Sequence, residues 1–150
     1  MNVRTENEIV IHAPLEKVFQ TTANLLLWPS VLPHYRWVRI LKAGEDGGFI
    51  VKMAARRGWL PIQWTSRYTV DGRARELHFQ HLRAFTHGMN VTWTYTPAQD
   101  GVRVQIFHEL NRRSALGRWF ARYILGDLFI RPIATKTLAA FKRHFEMETP

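Results

Sequence analysis

The middle of the chain alternates apolar and polar residues with a period of two. Phe49, Val51 and Met53 alternate with Ile50 and Lys52, and Trp64, Ser66, Tyr68 and Val70 alternate with Thr65, Arg67 and Thr69. Leu77 and Phe79 alternate with His78 and Gln80, and Met89, Val91, Trp93 and Tyr95 with Asn90, Thr92 and Thr94. Val104, Ile106, His108 and Leu110 alternate with Arg103, Gln105, Phe107 and Glu109. Successive strand side chains point to opposite faces, so each first-named set is expected on one face of a sheet. Turn signals at Glu45-Asp46-Gly47-Gly48, Asp71-Gly72, around Arg83 to Gly88 and at Asp100-Gly101 suit antiparallel hairpins. Ahead of these runs, Glu8 to His12 reads as a short strand. Pro14 suits the first turn of a helix through about Ala23, Trp28-Pro29 opens a second helical turn that Pro33 ends, and Tyr35 to Ala43 returns to strand character.

The last third changes period. Leu116, Trp119, Phe120, Tyr123 and Ile124 lie at helical spacing, with Arg118 and Arg122 on the other side. Gly126-Asp127 interrupts, and Ile130, Ile133/Ala134, Thr137/Leu138, Phe141 and Phe145 continue a second apolar stripe. Pro132 either lies in the first turn of that segment or kinks it. The expected class is α+β, with a curved antiparallel sheet of about seven strands wrapped around a long C-terminal helix and two short helices after strand 1. One concave sheet face then covers the helix's apolar stripe. At 150 residues the chain suits a single domain, residues 1–150.

Composition narrows the chemistry. There is no cysteine, which excludes disulfides, thiolate metal sites and cysteine nucleophiles. The start MNVRTENEIV has no apolar run flanked by basic residues, and no window offers about 20 uncharged apolar residues, so a cytoplasmic protein is expected. The formal charge is +9, and 16 of the 21 basic residues are arginines scattered from Arg4 to Arg143. Scattered charge of this kind usually solvates a surface, while the overall field favours anionic partners.

Aromatic residues reach 13%, with six Trp. Trp28, Tyr35, Trp64, Tyr68 and Trp93 fall at strand starts or on the inward faces, joined by Met53 and Met89. Large aromatics with polar tips need hydrogen-bond partners when buried. Two arrangements meet that need: a bulky filled core, or a cavity that takes a flat apolar ligand.

The opening Asn7-Glu8-Ile9-Val10-Ile11 with Ala13-Pro14-Leu15-Glu16-Lys17-Val18-Phe19, then Trp28-Pro29, Tyr35 and Ile40-Leu41, resembles the START-like (Bet v 1-like, SRPBCC) superfamily. Trp64-Thr65-Ser66, Met89-Asn90 and Trp93-Thr94-Tyr95 are similar to the pocket strands of its polyketide cyclase/dehydrase group, which includes bacterial aromatase/cyclases. The resemblance runs from Asn7 to Glu146 and implies a helix-grip fold. It also implies a cavity between sheet and C-terminal helix that binds a hydrophobic small molecule without metal or organic cofactor. In aromatase/cyclases the pocket strand carries Trp-x-Ser-x-Arg, the arginine being credited with cyclisation and dehydration. Here Trp64-Thr65-Ser66-Arg67-Tyr68 keeps the tryptophan and serine but has Tyr68 in place of the arginine. Alternation sends Arg67 to the other face unless a bulge turns it inward. A quinone-binding group of the same superfamily has a Thr-Ser-Arg stretch that Thr65-Ser66-Arg67 resembles, and its members are thought to carry lipid rather than transform it.

The candidate catalytic residues are therefore Tyr35, Ser66 and His108, with Arg67 only if it turns inward. The candidate ligand-binding set is Trp28, Tyr35, Met53, Trp64, Ser66, Tyr68, Met89, Trp93 and His108. Inward hydroxyls at Tyr35 and Ser66 can donate to a carbonyl or enolate, or satisfy backbone groups instead. His108 between Ile106 and Leu110 can serve as acid, base or anchor, or as a hydrogen-bonded core histidine. His78 and His81 face opposite ways on a strand and no cysteine or carboxylate pattern completes a site, so no metal is expected. No glycine-rich phosphate loop follows a strand, and no serine sits in a nucleophile elbow. Arg112, Arg113, Arg118, Arg122 and Arg131 flank Trp119, Phe120 and Tyr123, a composition also found in helices lying on anionic membranes. Nucleic acid is not expected, because no arginine stripe emerges. The expected partner is a polyketide, a lipid or a quinone.

Overall fold

A computed structural model describes residues 2–44, 47–83, 86–111, 114–120, 122 and 129–147. Seven strands form one antiparallel sheet: β1 (Asn2–Ile11), β2 (Tyr35–Ala43), β3 (Phe49–Arg57), β4 (Leu60–Asp71), β5 (Glu76–His81), β6 (Asn90–Ala98) and β7 (Gly101–Asn111). Their order is β1-β7-β6-β5-β4-β3-β2, so β2 to β7 make a continuous meander and β1 closes onto its last strand. Between β1 and β2 lie α1 (Leu15–Ala23), a 3₁₀ turn (Leu25–Leu27) and α2 (Trp28–Val31). A short α3 (Ala115–Trp119) and the long α4 (Arg131–Met147) follow β7. The curved sheet grips α4, as the apolar periodicity requires.

Inward alternation holds along the sheet. Val51, Met53, Leu77, Val91, Trp93, Val104 and Ile106 are all buried. From α4, Ala134, Thr137, Leu138, Phe141 and Phe145 meet them, and Phe141 is wholly buried against Trp28 and Trp93. Pro132 takes a place in the first turn of α4, where a missing N–H costs nothing. The helix is held along β1 by Asn7 to Thr135 (3.1 Å), by Lys142 Nζ donating to the Val10 carbonyl (2.6 Å), and by Glu146 accepting from the His12 amide (3.0 Å).

Several expectations shift. β1 begins at Asn2 rather than Glu8, since its polar first half is held by a full ladder from Asn2↔Asn111 to Ile11↔Val102. Phe49 and Val70 share the inward parity of their strands yet are exposed. A β3–β4 hairpin turns at Gly58-Trp59, a turn that alternation alone did not mark, with Gly58 at a φ of +65°. Gly101 starts β7 where a Cβ would stand 2.1 Å from the Ile11 carbonyl, so only glycine lets the end of β1 approach. The turn residues Glu45 and Asp46, the cations Arg112 and Arg113, and Tyr123, Ile124, Gly126 and Asp127 lie outside the described residues. Among the described residues no helix is long and apolar enough to cross a membrane.

Candidate functional site

Between the sheet and α4 lies a cavity of about 90 Å³. Trp28 enters it from α2, Tyr35 from β2, Met53 from β3, Ile62 and Trp64 from β4, and Phe79 and His81 from β5. Thr86, Met89, Val91 and Trp93 line it from the β5–β6 connection and β6, and Ile106 and His108 from β7. Phe129, Ile130, Ile133, Ala134 and Thr137 close the helix side. The volume is smaller than the roughly 300–1,000 Å³ of pockets for drug-sized ligands. A multi-ring guest therefore requires side chains to swing, and the unbranched Met53 and Met89 are the lining groups best able to do so.

The aromatic wall is fixed by polar tips. Trp28 donates from Nε1 to the Thr22 carbonyl at 2.9 Å and meets Tyr35 and Trp93 at centroid distances of 5.3 and 5.4 Å. Trp64 stacks on His81 at 6.2 Å and meets Tyr35 edge-on at 5.8 Å. These bonds hold the rings as walls and satisfy part of their polar demand.

Among the described residues the lining carries no carboxylate, ammonium or guanidinium. Its titratable groups are all pushed toward neutrality by burial. His81 sits near 4, its Nδ1 bonded to Thr86 Oγ1 at 2.9 Å. His108 is lowered to about 3, by burial first and by His81 second. The Tyr35 hydroxyl is pushed well above its usual range by burial, against a smaller opposing pull from its bond to Thr137. Thr137 Oγ1 donates to the Ile133 carbonyl at 2.7 Å, so it accepts from His34 Nε2 at 2.8 Å. His34 is itself lowered to about 4 by burial and by Lys136. One lining atom stands apart: His108 Nδ1 is buried and has no hydrogen-bond partner.

Seven of the nine residues in the sequence-derived ligand set meet at this cavity: Trp28, Tyr35, Met53, Trp64, Met89, Trp93 and His108. Ser66 and Tyr68 do not line it. Ser66 is fully buried on the inward face with its Oγ unpartnered. Tyr68 turns its hydroxyl away to donate to the Ala23 carbonyl at 2.7 Å while its ring packs on Phe79 at 4.7 Å. Arg67 lies on the convex face beside Thr69, His78 and Gln80, and no bulge interrupts β4 there. His81, Thr86 and Thr137 were missed. His81 continues the Leu77-Phe79 parity by one step, so its inward face was readable from the alternation.

The chain and its fold have known counterparts. The family described as polyketide cyclase / dehydrase and lipid transport matches residues 2–146. The chain belongs to that family. A Streptomyces cyaneus protein named "Putative polyketide cyclase" is 30% identical over 105 residues, 67% of each chain. The Zhui aromatase/cyclase from Streptomyces sp. R1128 superposes with a TM-score of 0.81 at 20% identity, covering 97% of this chain and 94% of that one. A START superfamily protein from Mycobacterium smegmatis gives 0.74 at 12% identity, covering 97% and 99%. At these identities the structures bear on the fold alone.

Proposed function

We propose that this protein binds a hydrophobic, carbonyl-bearing molecule of the polyketide type in the aromatic cavity and directs its cofactor-independent cyclisation and dehydration. One observation supports this most: a neutral aromatic lining that includes a buried, unpartnered His108 Nδ1. An orphaned buried nitrogen costs about 1–3 kcal/mol, which a ligand oxygen relieves. The neutral imidazole donates to a carbonyl in one tautomer and accepts from a hydroxyl in the other. Tyr35, its hydroxyl held protonated, offers a second neutral contact.

Ring closure of a poly-β-ketone removes a proton from a methylene between two carbonyls and forms a carbon–carbon bond from that carbon to a distant carbonyl carbon. The alkoxide then regains a proton, and loss of water leaves a double bond. With Tyr35, His81 and His108 all held uncharged and their pKa values displaced from pH 7, the main contribution in this mechanism is holding the chain in one folded conformer, with His108 relaying the proton. Purified protein added to a poly-β-ketone is expected to give one ring pattern in place of a mixture. Tyr35→Phe and His108→Ala should lower the directed product by about 100-fold while tryptophan quenching still reports binding, weaker for His108→Ala. The same product mixture with and without protein would overturn the assignment.

A non-catalytic lipid or quinone carrier is the second reading, favoured by Arg67 on the convex face and the Tyr68 hydroxyl engaged with Ala23. The strand that bears the credited arginine in aromatase/cyclases then offers the cavity no cation. In that case both substitutions weaken binding and no product changes.

A further inference from the structure

Trp59, at the tip of the β3–β4 hairpin, is 88% exposed. The turn there needs Gly58 at positive φ but nothing of an indole. The tip also stands clear of the sheet: β4 pairs with β3 from Leu60 onward, but with β5 only from Ser66. Beside it, a groove runs between the hairpin and α4, lined by His34, Arg56, Gly58, Lys136 and Arg143 over a floor of Ala139 and Ala140. Arg56, Lys136 and Arg143 are exposed, and among the described residues no carboxylate lines the groove. Lys136 and Arg143 stand two turns apart on α4, facing Arg56 across small residues that leave the groove open.

The same end of the molecule carries a second apolar prominence. The register chain Glu109–Asn90–Gln80, with His81–Ser66 beside it, brings the end of β7 to the end where the hairpin turns. The short α3 that follows β7 exposes Leu116 and Trp119, by 75% and 52%. Cations alone would fit any polyanion, but exposed indoles and a leucine on both sides are dehydrated only by an apolar or interfacial medium.

We propose that this end docks on an anionic lipid surface. Trp59, Leu116 and Trp119 enter the headgroup layer, and Arg56, Lys136 and Arg143 meet lipid phosphates. The assignment is independent of what the cavity holds, and it sets the cavity's hairpin side against the phase in which apolar molecules partition.

Sedimentation with vesicles of phosphatidylcholine alone, and of phosphatidylcholine mixed with phosphatidylglycerol, tests it. The protein is expected to bind only the mixed vesicles, less so as salt is raised. Replacing Arg56, Lys136 and Arg143 together by alanine should weaken binding by roughly 100-fold, at about 5-fold per cation. Trp59→Ser should weaken it several-fold. Melting temperatures should hold for both variants, since all four side chains are exposed. Equal binding to both vesicle types, no binding to either, undiminished binding by either variant, or capture of duplex DNA in preference to vesicles would each overturn the proposal.

Discussion

Along the β1–β7 pair the outward side chains are tied to one another, while inward polar atoms are left open. Outside, Arg4 reaches Glu109 at 3.6 Å, Arg103 reaches Glu8 at 3.4 Å, and Gln105 donates to Glu6 at 3.1 Å. Inside, Thr5 stands opposite His108, and Thr5 Oγ1, Asn7 Oδ1 and His108 Nδ1 are buried without partners. Exposed ion pairs contribute about 0–1 kcal/mol, whereas each buried orphan costs about 1–3 kcal/mol. The outer ladder sets register at little energetic consequence. The inner face gives up stability, and of these atoms only His108 Nδ1 belongs to a residue that lines the cavity.

The contrast can be broken in several places. The largest effect belongs to the packed inner face: Phe141→Ala should lose about 3–5 kcal/mol of unfolding free energy in a urea titration. A loss below 1 kcal/mol would mean that α4 is not gripped as described.

Acid comes next. His81 and His108 have folded pKa values near 4 and 3, below the unfolded value of 6.5. Between these limits the unfolded chain binds more protons, so stability is full above about pH 6.5 and falls as pH drops toward 4 and then 3. His81 alone should remove about 2 kcal/mol between pH 6.5 and 5, with His108 acting in the same direction. Melting temperatures across that range check it, and His81→Gln should flatten the slope.

A smaller change has the opposite sign. His108→Leu replaces the orphaned nitrogen with apolar surface and should raise stability by about 1–2 kcal/mol while lowering ligand affinity. A loss on both counts would make His108 a structural residue. The smallest effect belongs outside: Arg103→Ala should stay within about 1 kcal/mol by the same titration.

Most of this architecture was legible in the sequence because alternation and burial coincide on the meander. β2 runs from Tyr35 to Ala43 as its pattern reads, and the inward residues Met53, Trp93 and His108 follow from parity. The first half of β1 is illegible because Arg4, Glu6 and Asn7 give no apolar alternation, and its ladder to β7 depends on a partner about a hundred residues away. Parity places Tyr68 inward, where its ring is buried on Phe79, but says nothing of where the hydroxyl ends: it goes to Ala23, forty-five residues earlier in the chain. Thr86 reaches the cavity from a loop, where no period applies, and the helical period marks Thr137 as part of the buried stripe without marking it as cavity wall.

The occupant of the cavity tests the central claim most directly. Mass spectrometry of the organic extract of protein purified from its native cells should find an oxygen-rich aromatic or polyketone compound. A His108→Ala variant prepared in the same way should carry less of it. An isoprenoid quinone or a phospholipid in its place would contradict the cyclase assignment and make Tyr35 and His108 carrier contacts.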